Sequence, residues 1–320
     1  MKTIGVLTSG GDSPGMNAAI RAVVRSAVYY NMKVYGIQKG FEGLIHGEIV
    51  EMNVSSVSDI IQKGGTMLRT ARSEAFMTKT GFARAIDMLQ NFEIEGLVVI
   101  GGDGSLAGGL KLSKEGITVM GLPGTIDNDL AYTEYSIGFD TAVNTVLSAI
   151  GNIRDTSSSH ERGTVIEVMG RNSGDIALYA GLAGGAEYVL VPEFEVDMNA
   201  VCRKIIQGKN RGKLHSIIIK AEGVKMSSAD LATMIYQRTG LETKIVVLGY
   251  IQRGGSPTAR DRMLASQMGF RAVELLHTDA GSRAVGIRGN HIVDFDLEEA
   301  LALTKPWNHS LVELSDILSI

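Results

Sequence analysis

Two aspartates and a threonine follow a short apolar run near residue 120, and their types and spacing suit proton transfer and cation binding. Thr125, Asp127 and Asp129 stand in the segment PGTIDND at 123–129, and a second apolar run about twenty residues earlier leads into GGDGS at 101–105. Open α/β sheets carry out chemistry at the carboxyl ends of their strands. Two consecutive strands that end in acidic, glycine-bearing loops therefore predict a site with a catalytic base and a hard cation.

Two loops offer backbone N–H groups to a phosphate. The segment TSGGDSPGMN at 8–17 joins the first strand to the first helix, where a helix N-terminus attracts anions. It lacks the lysine of a P-loop and the glycine spacing of a dinucleotide fold, so a tight turn explains it about equally well. In the loop at 101–105, glycines let the backbone approach a polyphosphate while Asp103 holds Mg²⁺. The alternative is that Asp103 only caps the following helix.

Basic side chains stand at the ends of predicted strands and helices. Arg171 follows the strand at 165–169, and Arg72, Lys244 and Arg253 occupy comparable positions. Together these cations favour recognition of an anion, although each alone would suit a solvated surface. Glu222 follows another strand and is equally consistent with accepting protons from sugar hydroxyls and with a surface ion pair.

Apolar runs and helical patterns alternate along the chain. The runs lie at 4–7, 34–37, 97–100, 117–120, 165–169, 188–191, 217–219, 245–248 and 284–287. The clearest helical pattern lies at 17–30, with Arg21 and Arg25 together on its polar face. The segment near 225–240 is expected to be an exposed helix with weak constraints. This order predicts an α/β fold of two doubly wound, mainly parallel α/β/α sandwich lobes, with the active site in the cleft between them.

Composition excludes several classes of function. A formal net charge of −4 gives no basic surface for nucleic acid, so small anionic ligands fit better. No apolar run approaches the roughly 18 residues of a membrane span, and the early strand and glycine loop leave no room for a signal peptide. The single cysteine, Cys202, fits a reducing compartment and a core position on a helix. We expect a cytoplasmic protein with no membrane or nucleic-acid partner and no structural zinc.

Four motifs together resemble those of bacterial ATP-dependent 6-phosphofructokinases. They are GGDGS at 101–105, PGTIDND at 123–129, MGR at 169–171 and QRGGSP at 252–257. GGDG alone also occurs in diacylglycerol and NAD kinases, whereas the combination is specific and the resemblance spans essentially the whole chain. It implies transfer of the γ-phosphoryl group of MgATP to the 1-hydroxyl of fructose 6-phosphate, the committing step of glycolysis.

The resemblance also implies how the chain divides and which residues act. The larger, ATP-binding lobe would comprise 1–138 plus 256–305, and the smaller, fructose 6-phosphate-binding lobe 139–255 plus 306–320. Asp127 would be the base, and Asp103 would bind Mg²⁺. The catalytic set would be Gly11, Arg72, Thr125, Asp127, Asp129 and Arg171. The ATP site would contain Gly11, Arg72, Ser73, Gly102, Asp103, Gly104 and Ser105. The sugar-phosphate site would contain Thr125, Asp127, Arg162, Met169, Gly170, Arg171, Glu222, Lys244, Tyr250 and Arg253.

A complete site would require an oligomer, in this family a homotetramer, because Arg162 and Lys244 would reach the 6-phosphate from a neighbouring subunit. A separate cluster matches the family's effector site for ADP and phosphoenolpyruvate. It comprises Arg21, Arg25, Asp59, Arg154, Gly185, Glu187, Arg211, Lys213 and His215. A merely solvated basic face stays open as the alternative, since Val54 stands where some members carry arginine.

Several positions depart from the family pattern or separate rival functions. Lys244 replaces the usual arginine and Tyr250 the usual histidine, which predicts weaker 6-phosphate binding. Pyrophosphate-dependent relatives carry aspartate and lysine where this chain has Gly104 and Gly124. Glycine leaves a gap for the α-phosphate of a nucleotide, so ATP is favoured. The alternatives are a pyrophosphate-dependent enzyme and a catalytically weak nucleotide or phosphoenolpyruvate sensor. Arg69 and Lys220 have no predicted role, and we expect both at the surface.

Overall fold

A computed structural model describes residues 1–319, which form two compact units that each contain one β-sheet. Unit 1 comprises residues 1–126, 130–141 and 253–305. Unit 2 comprises residues 127–129 and 142–252 and the described residues from Pro306 onward. The predicted α/β class with mainly parallel sheets is confirmed. The predicted division of the chain at residues 138 and 255 stays a prediction.

The strands and helices alternate along most of the chain, as the apolar runs predict. The strands are β1 (Thr3–Thr8), β2 (Lys33–Ile37), β3 (Ile49–Met52), β4 (Gly96–Gly101), β5 (Thr118–Pro123), β6 (Gly163–Val168), β7 (Tyr188–Leu190), β8 (Ser216–Ala221), β9 (Thr243–Val247), β10 (Arg283–Arg288) and β11 (His291–Asp296). The α-helices are α1 (Met16–Tyr29), α2 (Gly40–His46), α3 (Lys79–Asn91), α4 (Asp103–Ser113), α5 (Phe139–Ser159), α6 (Asp175–Ala183), α7 (Met198–Asn210), α8 (Ser228–Thr239), α9 (Ala259–His277), α10 (Leu297–Ala302) and α11 (His309–Leu318). Short 3₁₀ helices lie at Ser55–Val57, Ala75–Met77 and Gly249–Gln252.

The sheet of unit 1 has the strand order β11-β10-β5-β4-β1-β2-β3. The five inner strands pair in parallel, and β3 and β11 pair antiparallel at the two edges. All residues of β1 and β4 are buried, which explains why these strands can be recognised in the sequence as continuous apolar runs. The edge strands are partly exposed and carry charged residues, so the sequence did not reveal them.

The sheet of unit 2 has the order β7-β8-β6-β9, and its strands pair in parallel. Every residue of β8 is buried. In contrast, β9 is an edge strand with Ile245 41% and Val247 62% exposed. The apolar character of β9 therefore does not come from burial within this single chain.

Helices α1 and α9 pack together in unit 1. The apolar stripe of α1, including Ile20, Val23 and Val24, is fully buried in one cluster with Met268 and Ala272 of α9. Gly269 permits the close approach, because a Cβ atom there would lie 2.7 Å from the Cβ atom of Ala22. The first helix is thus placed by its buried stripe, as its periodicity predicts.

A buried carboxylate ties the start of α9 to the segment around residue 140. Asp261 is 1% exposed, and its carboxylate accepts hydrogen bonds from Gly138 N (2.9 Å), Thr141 N (2.8 Å) and Thr141 Oγ1 (2.5 Å). Burial raises the pKa of Asp261 to about 6, although these hydrogen bonds oppose the rise. The ionised form is therefore less favourable in the folded chain than in the unfolded chain.

This raised pKa predicts a specific pH dependence of stability. Above an unfolded pKa near 3.8, the unfolded chain releases the Asp261 proton before the folded chain does, so the free energy of unfolding falls as pH rises toward about 6. An Asp261→Asn variant lacks this titration. We expect the parent-minus-variant free energy of unfolding to fall by up to about 3 kcal/mol from pH 4 to pH 7. Urea unfolding at a series of pH values measures it, and a flat or rising difference would contradict the assignment.

The structure corrects two expectations and confirms two others. Lys220 is buried, with 2% exposure, rather than at the surface. The segment near 225–240 contains the expected helix, α8, but this helix is not wholly exposed, because its Leu231 and Ile235 are fully buried. Cys202 is a buried residue of α7 and Arg69 is exposed, as predicted. Among residues 1–319, every helix is too short or too polar to cross a bilayer.

Candidate active site

The glycine-bearing loops of unit 1 meet at the carboxyl ends of β1, β4 and β5, which are neighbours in the sheet. A Cβ atom on Gly102 would lie 3.6 Å from Thr125 Cβ, and one on Gly10 would lie 3.1 Å from Ser105 Oγ. Thr125 is further fixed by Ser136 Oγ, which donates to its carbonyl oxygen at 2.7 Å. The structure thus brings together the three loops that the sequence singled out in this half of the chain.

Asp103 is the first residue of α4, and its side chain is exposed. Gly102 occupies the N-cap position of α4, and no side chain caps this helix. The alternative that Asp103 only caps the helix is therefore wrong. Within residues 1–319 no cluster of three or more metal-ligating side chains occurs. An exposed carboxylate in a glycine-rich loop would fit Mg²⁺, which usually keeps water ligands and binds through one or two carboxylates plus substrate phosphates.

The two glycines that were predicted to favour ATP differ in their surroundings. A Cβ atom on Gly104 would meet no atom within 4 Å, so this position borders open space. A Cβ atom on Gly124 would lie 2.8 Å from Ile100 Cγ2 and 3.2 Å from Met16 Cε. The predicted gap is therefore present at Gly104, whereas glycine at position 124 is required by packing.

Arg253 lies against the first loop within unit 1. Its Nη2 atom is 2.7 Å from Asp12 Oδ1 and 2.9 Å from the position that a Cβ atom on Gly11 would occupy. Ser73 Oγ donates to Glu42 Oε2 at 2.6 Å, which orients the segment next to the exposed Arg72. Asp12 and Glu42 were not predicted as site residues. Asp12 lies in the loop at 8–17 that the sequence singled out, whereas Glu42 lies outside every predicted motif.

The predicted base stands in the part of the acidic loop, residues 127–129, that belongs to unit 2. Asp127 is 8% exposed and Asn128 1%. Asn128 has a left-handed backbone with φ 52°, and its Nδ2 donates to Asp175 Oδ2 at 2.8 Å. Asparagine tolerates this conformation better than most residues. Sequence reasoning missed Asn128 and Asp175, which hold the loop on which Asp127 stands.

The predicted sugar loop at 169–171 is held by hydrogen bonds to two side chains. Glu222 Oε1 accepts from Gly170 N at 3.2 Å and from Arg171 N at 2.8 Å, while Gln252 Oε1 accepts from Met169 N at 3.1 Å. Arg171 is exposed and has a left-handed backbone with φ 54°. Glu222 therefore organises the loop through backbone N–H groups. The fully buried Gln252 is the first residue of the QRGGSP motif, but it was not predicted as a site residue.

Arg162 and Lys244 are brought together by an acidic residue that the sequence analysis did not select. Glu242 Oε2 lies 3.2 Å from Arg162 Nε, and Glu242 Oε1 lies 2.7 Å from Lys244 Nζ. The hydrogen bond from Lys244 and the nearby Arg162 lower the pKa of Glu242. These side chains are about half exposed, so the two cations form an accessible pair.

Part of the predicted effector cluster is assembled within unit 2. Arg154 Nη2 donates to the carbonyl oxygen of Gly185 at 3.1 Å, and Lys213 forms an ion pair with Glu187, which is 4% exposed. Burial lowers the pKa of His215, and Glu187 opposes this. Arg211 is exposed at the end of α7. The remaining predicted members lie in unit 1, namely Arg21, Arg25 and Asp59.

Comparison with known proteins reveals similarity along the whole chain. The sequence profile of the family described as Phosphofructokinase matches residues 3–276. The curated protein "ATP-dependent 6-phosphofructokinase" of Alkaliphilus metalliredigens (strain QYMF) is 61% identical over 320 residues, covering 100% of both chains. The protein of the same name from Clostridium botulinum (strain Loch Maree / Type A3) is 58% identical over 319 residues, again covering 100% of both.

Solved structures share the fold. Phosphofructokinase of Saccharomyces cerevisiae superimposes with a TM-score of 0.90 at 34% identity, covering 100% of this chain and 48% of the yeast chain. A pyrophosphate-dependent phosphofructokinase of Marinobacter aquaeolei gives a TM-score of 0.85 at 22% identity, covering 99% of this chain and 91% of that chain. At 22% identity the second likeness concerns the fold alone.

Proposed function

We infer, from the premise that this chain belongs to the phosphofructokinase family, that it is an ATP-dependent 6-phosphofructokinase. The enzyme transfers the γ-phosphoryl group of ATP to the 1-hydroxyl of fructose 6-phosphate and gives fructose 1,6-bisphosphate and ADP. Full-length identity of 61% to a protein of that name is the observation that carries this conclusion. As a glycolytic kinase without a membrane-spanning helix in residues 1–319, it is proposed to act in the cytoplasm.

The strand-end loops of unit 1 supply the nucleotide site. Gly11, Gly102, Gly104 and Ser105 offer backbone and hydroxyl groups to the phosphates, and Asp103 offers a carboxylate to Mg²⁺. Mg²⁺ supplies charge neutralisation between the phosphate oxygens when it is bound. The open space at Gly104 supports a nucleotide rather than pyrophosphate as donor, because an aspartate there would put a side chain and a negative charge where the α-phosphate of a nucleotide needs room.

Asp127 acts as the base that accepts the proton of the 1-hydroxyl. Phosphoryl transfer has a loose transition state, so this carboxylate orients the hydroxyl and takes the proton late in the reaction. Its low exposure and the bond from Asn128 to Asp175 support a fixed position. Thr125 and Asp129 flank it along the chain.

Cations stabilise the phosphoryl groups. Two unit charges 4 Å apart interact by about 4 kcal/mol at an effective dielectric near 20, so bringing two phosphate-bearing molecules together requires compensation. Arg72 and Arg171 are proposed to face the transferred group. Arg171 is exposed, and its hydrogen bond to the Glu222 carboxylate is made by its backbone N–H. The guanidinium group is therefore available for the substrate.

One coupled assay separates the proposed function from its two rivals. Purified chain is mixed with fructose 6-phosphate and Mg²⁺, and either ATP or pyrophosphate is added. We expect fructose 1,6-bisphosphate only with ATP. Turnover with pyrophosphate would favour the pyrophosphate-dependent enzyme, and absence of turnover with both donors would favour the sensor.

The 6-phosphate site is proposed to be shared between subunits of a homotetramer. Tyr250 is 79% exposed and the Lys244 side chain 56%, and both lie on or just after the edge strand β9. The same edge exposes Val247, and an exposed apolar sheet edge suits contact with another chain. Analytical ultracentrifugation tests the tetramer.

Restoring the usual family residues at this edge should strengthen substrate binding. Lysine lacks the two-pronged grip of arginine, and a neutral phenol donates one hydrogen bond. We expect the double variant Lys244→Arg/Tyr250→His to lower the half-saturation concentration of fructose 6-phosphate roughly fivefold, which corresponds to about 1 kcal/mol. The value for ATP serves as the internal control. An unchanged value for fructose 6-phosphate would show that these two positions do not limit its binding.

The cluster around Arg154, Glu187 and Lys213 is proposed to bind the effectors ADP and phosphoenolpyruvate. Its cations suit phosphate groups, and Glu187 gives it a mixed charge. Phosphoenolpyruvate should raise the half-saturation concentration of fructose 6-phosphate roughly fivefold or more, and ADP should relieve this effect. Initial rates measured with each effector test the prediction, and a Lys213→Met variant should lose the response. Initial rates that change with neither ADP nor phosphoenolpyruvate would contradict this proposal.

A further inference from the structure

An ion pair with a buried lysine and a partly buried glutamate lies near the ends of the two central strands of unit 2. Lys220 of β8 and Glu167 of β6 are register partners, and Lys220 Nζ lies 3.1 Å from Glu167 Oε2. The Lys220 side chain is 3% exposed and that of Glu167 24%. Ser228, the first residue of α8, donates its hydroxyl to the same oxygen of Glu167. Burial raises the pKa of Glu167, but the hydrogen bonds from Ser228 and Lys220 and the lysine charge outweigh it, so the pKa is lowered.

This placement of a lysine is unusual for its strand. The sequence of β8, SIIIKA at 216–221, is buried at every position, and Lys220 is its one charged residue. The strand lies inside a parallel sheet. A buried charge is tolerated only when it is paired, and a buried ion pair is seldom more stabilising than two apolar side chains of similar volume. A role in fixing geometry therefore explains the pair better than a role in stability.

The pair stands directly before the two loops that form the proposed sugar site. One residue after Lys220 the chain reaches Ala221 and then Glu222, whose N–H donates to the carbonyl oxygen of Val168 at 2.8 Å. The Glu222 carboxylate then accepts the N–H groups of Gly170 and Arg171. A Cβ atom on Gly223 would lie 2.2 Å from the carbonyl oxygen of Arg171, so the two loops are in close contact.

We propose that Lys220, Glu167 and Ser228 form a positioning cluster for the fructose 6-phosphate loop. The cluster fixes the ends of β6 and β8 against each other and against the start of α8. The Glu222 carboxylate then lies where it accepts hydrogen bonds from the N–H groups of Gly170 and Arg171. These hydrogen bonds hold Arg171 in its left-handed conformation, with φ 54°. This inference rests on the proposed function, because the loop matters only if it binds the sugar phosphate.

Matched variants separate positioning from general stability. Lys220→Met removes the ammonium, and Lys220→Met/Glu167→Met replaces the pair by apolar side chains. Lys220→Arg keeps the charge and serves as the rescue variant. Lys114→Met breaks an exposed ion pair with Glu298 in unit 1, whose side chains are 57% and 64% exposed, and serves as the control.

Calorimetric titration with fructose 6-phosphate, steady-state kinetics and thermal unfolding are measured for each protein. In Lys220→Met and in the double variant, the Kd and KM of fructose 6-phosphate should rise roughly tenfold, since small misplacements of a binding group are costly. The KM of ATP should stay within about two-fold, and Lys220→Arg and Lys114→Met should resemble the parent. The double variant should unfold at no lower temperature than Lys220→Met, because it does not leave the partly buried Glu167 carboxylate without its ammonium partner.

The outcomes distinguish the two levels of the proposal. A parent chain that does not phosphorylate fructose 6-phosphate with ATP would contradict the proposed function. An active parent together with a folded double variant whose Kd for fructose 6-phosphate is unchanged would overturn the positioning role alone. If Lys220→Met does not fold, the double variant carries the test, since its paired replacement leaves no buried charge.

Discussion

Replacing Asp127 with serine should collapse turnover while fructose 6-phosphate still binds. Loss of a general base typically costs about 10²- to 10⁴-fold in rate, and we expect kcat to fall within or beyond that range. Serine is smaller and neutral at this position, which is 8% exposed, so the loop held by Asn128 and Asp175 should persist. Binding should persist because the proposed contacts to the sugar phosphate come from several other side chains.

Steady-state kinetics with ATP and calorimetric titration with fructose 6-phosphate measure the two halves of this prediction. An Asp87→Ser variant provides a matched control, because Asp87 is an exposed residue of α3. The control should keep the parent kcat. Near-native turnover by Asp127→Ser would remove Asp127 from the role of base and would leave the mechanism without a proton acceptor.

Replacing Gly104 with aspartate should abolish efficient use of ATP. The position borders open space, so the new side chain fits without displacing its neighbours. Its carboxylate would then stand beside Asp103 and the phosphates that the loop binds. Like charges about 4 Å apart repel by roughly 4 kcal/mol at an effective dielectric near 20. Because solvent and Mg²⁺ screen part of this repulsion, we expect kcat/KM for ATP to fall by about 10²-fold or more, which corresponds to about 3 kcal/mol.

A Gly104→Asn variant isolates the charge, since asparagine has nearly the same shape and no charge. We expect it to lose much less activity than Gly104→Asp, and both should unfold at similar temperatures because the site is open. Equal losses in the two variants would mean that volume rather than charge decides the donor at this position. Turnover of pyrophosphate by Gly104→Asp alone is not expected, because Gly124 is still tightly packed against Ile100.

Much of the fold could be predicted because buried strands consist mainly of apolar residues, which are visible in the sequence. Strands β1, β4 and β8 are buried at every position and therefore appear as apolar runs. The edge strands β3 and β11 left no such trace, since one-sided or partial exposure permits charged residues. Lys220 was misplaced for a different reason: a lysine is expected in water, and only the partner strand shows that Glu167 neutralises it on the buried strand β8.

By itself, the sequence determined the α/β class, the family and the loops that carry the proposed chemistry, because glycine, aspartate and threonine at strand ends have few other uses in that combination. Only the tertiary structure decided how those loops are held. It placed Glu222 under the N–H groups of Gly170 and Arg171, and Glu242 between Arg162 and Lys244. Such contacts join residues far apart in the chain, and the residue type of a carboxylate does not indicate which distant group it will bind. Their geometry is fixed by strand register and packing, which single residues do not encode.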